Sequence, residues 1–193
     1  MKIKKLAILS ILTIILLSGC NKKDDNISDS IVQPQETSQQ QAAQEQQLPT
    51  FHLTTSMGKN ITIEVTKKGW VFKEYPNKAV LLVFFATWCP PCKAEIPHLI
   101  NLQNKYKDSL EVIAVLVEQN KDNMALNDFI KDHNIIYPVT NSPENFNLAS
   151  AVGGVDSIPA MFVFNPDGYV VQRYQGAVHE EILENDIKQA LGK

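Results

Sequence analysis

Trp88-Cys89-Pro90-Pro91-Cys92 places two thiols two residues apart, directly after an apolar run from Ala79 to Ala86. That run is rich in β-branched and aromatic residues and predicts a strand buried on both faces. Lys93 to Lys107 predicts a helix, with Ile96, Leu99, Ile100 and Leu102 as its apolar stripe. A dithiol between strand and helix sets its first sulfur at a helix N-terminus, where unpaired N–H groups and a partial positive charge favour thiolate. Lowering a thiol pKa from ~8.5 to about 7 raises the thiolate fraction at neutral pH from ~3% to ~50%. Nucleophilicity falls with pKa, so attack speeds up only ~3-fold, and Cys89 gains as much as a leaving group. Pro90 and Pro91 have no N–H, which leaves Cys92 as the nearest backbone donor to the Cys89 sulfur and predicts a moderate depression. Cys89 is the expected attacking thiol; Cys92, one turn in and more buried, is expected to resolve the mixed disulfide. A structural staple across so short a loop is worth only about 2 kcal/mol, and a structural zinc site lacks its four ligands. The pattern points to dithiol–disulfide exchange.

The rest of the chain must carry this pair. With 193 residues and 44% hydrophobic content, one domain with an adequate core is expected. The net charge of −3, without basic clusters, argues against a nucleic-acid partner. Residues 1–19 read as a lipoprotein signal peptide: Lys2, Lys4 and Lys5 precede the apolar stretch Leu6 to Leu17, too short for an ordinary membrane span. Leu17-Ser18-Gly19-Cys20 resembles a lipobox, so Cys20 is expected to be lipidated, an anchor to a membrane rather than a third redox thiol. Residues 20–49 are Gln-rich and lack aromatics from Gln33 to Gln47, which predicts a disordered linker with a typical reach near 30 Å. Residues 50–193 form the predicted folded domain.

Within it, Phe51 to Thr54 and Asn60 to Val65 alternate around Ser56-Met57-Gly58-Lys59 and predict a β-hairpin. Further on, Glu111 to Val117 predicts a buried strand, Asn123 to His133 an amphipathic helix, Tyr137 to Val139 an edge strand and Pro143 to Ala151 a short helix. Ala160 to Phe164 and Tyr169 to Tyr174 flank the turn Asn165-Pro166-Asp167-Gly168 and predict antiparallel strands. Glu180 to Leu191 predicts a closing helix, its early glutamates favouring the dipole. The expected class is α/β, a sheet layered between helices.

The segment Val83 to Pro97, with Cys-Pro-Pro-Cys at its centre, resembles the active-site stretch of the thioredoxin-like TlpA/ResA family of membrane-tethered thiol–disulfide oxidoreductases. Gly154 to Gly168 resembles the segment that carries that family's cis-proline, and the resemblance runs from about Thr50 to the C-terminus. It implies a thioredoxin-like fold, a central mixed β-sheet flanked by helices with an N-terminal β-hairpin, and a cis bond before Pro159. That bond would bring the Ile158 backbone beside the sulfurs to pair with an extended substrate chain. The position that carries a buried Asp in thioredoxins is Val83 here, so another group must take the Cys92 proton. Glu95 occupies the position of the family's acidic residue and is the candidate base and pKa tuner; the alternative is a solvated helix glutamate. Pro97 has no N–H for the Lys93 carbonyl, which predicts a kink.

Trp88 is expected to pack beside the disulfide and shield it, and with Ile158 and Pro159 to bind substrate. His52, His98, His133 and His179 read as surface or capping residues. No cofactor is implied, since Gly153-Gly154 lacks the setting of a phosphate-binding loop. With the lipobox, the resemblance implies a disulfide reductase outside the cytoplasm, lipid-anchored through Cys20 and facing the periplasm or cell exterior, recharged by a membrane thiol shuttle. It implies protein disulfide substrates such as the haem-binding cysteines of apocytochrome c. Three rivals stand beside it. A disulfide oxidase or isomerase carries the same motif at a different potential, and tenfold in poise is only ~30 mV. A thiol peroxidase fits less well, because no threonine precedes Cys89 at the required spacing. A copper-binding chaperone uses a wider dithiol plus a distant histidine, for which His179 is the candidate.

Overall fold

The computed structural model describes residues 48–193. The signal segment, Cys20 and the linker up to residue 47 lie outside the described residues. In chain order the elements are β1 (Thr50–Thr54), β2 (Asn60–Thr66), β3 (Gly69–Phe72), β4 (Ala79–Phe85), α1 (Pro90–Lys105), β5 (Leu110–Leu116), α2 (Asn123–Asp132), β6 (Val139–Thr140), α3 (Glu144–Ala151), β7 (Ala160–Phe164), β8 (Val170–Gln175) and α4 (Glu180–Ala190).

The central sheet has the order β6-β5-β4-β7-β8. Strand β4 pairs in parallel with β5 and antiparallel with β7, so the sheet is mixed. Every residue of β4 is buried, which explains its unbroken apolar run. Alternation splits the strand between two cores. Leu81, Val83 and Phe85 face a cluster that includes Leu99, Leu102, Leu126, Leu183 and Ile187 from α1, α2 and α4. Val80, Leu82 and Phe84 face the opposite cluster, formed with Phe51, Leu53, Ile61 and Ile63 of the N-terminal sheet and Leu148 of α3. The fold is thioredoxin-like.

Three differences from the sequence expectation have physical causes. The N-terminal hairpin gains a third strand: β3 pairs antiparallel with β2. This strand is held from outside, because the Trp70 N–H donates to the Gly168 carbonyl (2.9 Å), docking the β7–β8 turn on it. Helix α1 begins three residues before the expected start, since Cys89 caps it and prolines at its first two positions need no N–H partners. It continues through Pro97. Finally, β6 lies two residues beyond the expected Tyr137 start. It is an edge strand, as expected, and its free side is covered: Ser56 N–H donates to the Val139 carbonyl (3.0 Å) and Asn141 N–H to the Thr54 carbonyl (2.9 Å).

Candidate active site

Strand β4 ends at Phe85, and the chain turns through Ala86 to Cys89, closed by the Cys89 N–H donating to the Ala86 carbonyl (3.2 Å). Cys89 is extended at the N-cap of α1, and its sulfur accepts the Cys92 N–H at 3.3 Å. The two prolines between them have removed every nearer helix donor. Cys89 and Cys92 are joined as a disulfide with Cα atoms 5.3 Å apart. On the other side of Cys89, the Ile158 carbonyl oxygen lies 3.7 Å from its sulfur. A disulfide sulfur has no proton to donate, so this is a packing contact. It becomes a possible S–H···O pair only after reduction. The Ile158–Pro159 peptide bond is cis.

The expected difference in burial between the two thiols is not found: Cys89 is 2% exposed and Cys92 4%. The Ile158 carbonyl packs against the Cys89 sulfur. The expectation for Trp88 is also corrected. Its side chain is 64% exposed and does not shield the disulfide. The cause lies one residue earlier, where Thr87 turns inward and leaves Trp88 at the tip of the turn. Trp88 instead forms one wall of an open groove of about 430 Å³, with Phe146, Val155 and Ile158 among its lining.

Thr87 is held by a residue that the sequence reading passed over. Glu118 accepts from the Thr87 N–H (3.0 Å) and hydroxyl (2.7 Å), and Lys121 bonds both the Thr87 hydroxyl (2.9 Å) and Glu118 (3.4 Å). Burial works against the Glu118 charge, yet the hydrogen bonds from Thr87 and the Lys121 charge hold its carboxyl below the usual range. One signal pointed here: Glu118 follows the C-terminal end of a parallel strand, where sites in α/β sheets gather.

Glu95 is not a solvated helix residue; it is 2% exposed, one turn beyond Cys92 on the buried face of α1. Its Oε1 accepts the Val178 N–H at 2.6 Å, from the turn into α4. Its Oε2 lies 3.6 Å from His98 Nδ1. Burial, and then the Glu95 charge, push the Tyr137 hydroxyl well above the ordinary range, so it stays protonated. Tyr137 and Cys92 line the same small cavity, together with Val83 and Pro159. Val83, in the place of an acidic group, keeps that cavity apolar.

The histidines divide. His52 and His179 are exposed, the latter at the N-cap of α4 without a side-chain capping bond. His133 closes α2, stacking on Phe129 and pairing with its carbonyl at 3.0 Å. His98 lies at the surface, as expected, but its Nδ1 is buried against Glu95. Among the described residues no three His, Cys, Asp or Glu side chains gather as metal ligands. No helix among them is long and apolar enough to cross a membrane.

Comparison with known proteins agrees with this geometry. The Redoxin family model matches residues 42–191. The thiol–disulfide oxidoreductase ResA of Bacillus thuringiensis subsp. konkukian is 30% identical over 141 residues, covering 72% of this chain and 74% of that one. ResA of Bacillus subtilis is 30% identical over 138 residues, covering 71% and 70%. Among solved structures, a thioredoxin-family thiol:disulfide interchange protein from Chlorobium tepidum superposes with TM-score 0.58 at 29% identity, covering 74% of this chain and 94% of its own. StoA of Bacillus subtilis superposes with TM-score 0.56 at 23% identity, covering 72% and 96%. The chain belongs to the Redoxin family and, within it, to the thioredoxin-like thiol–disulfide oxidoreductases of the ResA type.

Proposed function

We propose that the protein is an extracytoplasmic disulfide reductase, held at a bacterial membrane through lipidated Cys20, with Cys89 as nucleophile and Cys92 as resolving thiol. Cys89 thiolate attacks a substrate disulfide, forming a mixed disulfide and releasing one substrate thiolate. Cys92 passes its proton to Glu95 and attacks Cys89, releasing the second substrate thiolate and leaving the pair oxidised. A membrane dithiol donor then returns two electrons by a second exchange, and Glu95 returns its proton to Cys92, restoring the Cys89 thiolate and the Cys92 thiol. Trp88 and the backbone at Ile158 and Pro159 hold the substrate chain. Substrates of apocytochrome c type, with two cysteines close in sequence, suit a site that reads extended backbone.

The observation that carries this reading is the Cys89 sulfur at the mouth of α1, bonded to the Cys92 N–H and flanked by the Ile158 carbonyl. A Cys92→Ala protein, recovered from its native envelope, should hold its substrates as mixed disulfides on Cys89 that mass spectrometry can name. The dithiol potential tests direction: a value as oxidising as the roughly −120 mV of a strong dithiol oxidant overturns the reductase reading.

A further inference from the structure

Glu95 Oε2 and His98 Nδ1 are both buried, 3.6 Å apart, and neither has a hydrogen-bond partner among the described residues. Buried polar atoms are rarely left in this state, because each forgoes water without replacement. Here two such atoms face each other. The rest of His98 has a different environment: its side chain is 41% exposed, whereas that of Glu95 is 3% exposed. One side chain therefore touches both the buried carboxylate and water.

We propose that His98 is the proton relay of the site, carrying protons between Glu95 and solvent. This inference rests on Glu95 as the base for Cys92. In the resolving step the Cys92 S–H bond breaks and its proton goes to Glu95, while the Cys92–Cys89 bond forms and the substrate thiolate leaves. Glu95 then gives that proton to neutral His98 at Nδ1. The resulting imidazolium releases its Nε2 proton to water, and the reverse sequence supplies a proton when the disulfide is re-reduced. Imidazole is the side chain able to take and give a proton at neutral pH from two separate atoms. The 3.6 Å separation is a little long for a hydrogen bond, as catalytic contacts often are before substrate binds.

The other groups around Glu95 cannot replace this route. Tyr137, ahead of β6, brings a hydroxyl that stays protonated. The turn into α4 brings the Val178 N–H, which holds Oε1. His179 beside it is exposed, and Glu180 is engaged by Asn101 at 3.1 Å.

The test is single-turnover release of a preformed mixed disulfide on Cys89, followed against pH in the wild type, His98→Ala, His98→Gln and Glu95→Gln. Removing a general base costs 10²–10⁴-fold, and the relay should cost His98→Ala about tenfold at neutral pH. Added imidazole should recover that loss in His98→Ala but not in Glu95→Gln. If Glu95→Gln is slow and both His98 variants match the wild type in rate and pH profile, the relay fails and Glu95 stands. If Glu95→Gln also matches the wild type, the base assignment falls as well. A slow His98→Ala that imidazole leaves slow, with a lowered melting temperature, overturns the relay in favour of a structural role.

Discussion

At the scale of the residue, the site depends on how few donors reach each reacting atom. The Cys89 sulfur receives one backbone N–H, from Cys92, and the two prolines supply none. A single donor plus the helix terminus predicts a pKa for reduced Cys89 moderately below that of a free thiol, measured from the pH dependence of alkylation. A value below about 5 would require a donor that this loop does not contain. Glu118 works in the opposite way, collecting three bonds to hold the turn that presents Cys89. Glu118→Ala leaves the Thr87 N–H and hydroxyl without their acceptor, with Lys121 held only by the Thr87 hydroxyl, and should lower stability by about 1–3 kcal/mol. A denaturant midpoint identical to that of the wild type would show that the turn holds itself.

At the scale of the element, α1 is the part that both positions the dithiol and anchors it to the rest of the fold. Its buried positions Cys92, Glu95, Ile96, Leu99, Leu102 and Gln103 recur at helical spacing. Gln103 also accepts the Val112 N–H at 2.7 Å, fixing the helix to β5. At the far end, Glu184 of α4 is bonded by Lys188, Lys105 and the Tyr106 hydroxyl. The bond from Lys188, followed by those from Lys105 and Tyr106, holds the Glu184 carboxyl down at about 2. In the unfolded chain a glutamate takes its proton near 4.3, so between those values the unfolded state binds more protons. Stability from this cluster is therefore present above about pH 4.5 and lost as pH falls towards 2. The melting-temperature gap between the wild type and Glu184→Gln should narrow across that window. A gap that stays constant with pH would rule out the charge as its source. Because the cluster lies at the surface, added salt should shrink the effect.

At the scale of the whole molecule, two sheets share one core, and a turn joins them from outside. Gly168 has φ 81°, and a Cβ there would run into the Trp70 backbone. Gly58 has nearly the same φ, 80°, with nothing within 4 Å of the added atom. Both Gly→Ala changes should cost about 1–3 kcal/mol for the left-handed backbone. Only Gly168→Ala should add the loss of the Trp70–Gly168 bond and of the β3 docking. Equal losses in the two variants, read by denaturant unfolding, would mean that the contact contributes nothing.

The sequence by itself determined the dithiol, its place between strand and helix, and the order of nearly every element. These are local properties: periodicity, turn chemistry and the missing N–H of proline act within a few residues. The tertiary structure alone decided which way side chains face when several neighbours compete. Trp88 turns outward because Thr87 is drawn inward by Glu118, thirty-one residues on. Glu95 is buried because a backbone N–H from Val178 reaches its carboxylate across eighty-three residues. Strand β3, too short to announce itself, exists through its pairing with β2 and the turn at Gly168. Pairings across such distances leave no periodic trace in the chain, since each depends on where the rest of the molecule has already folded.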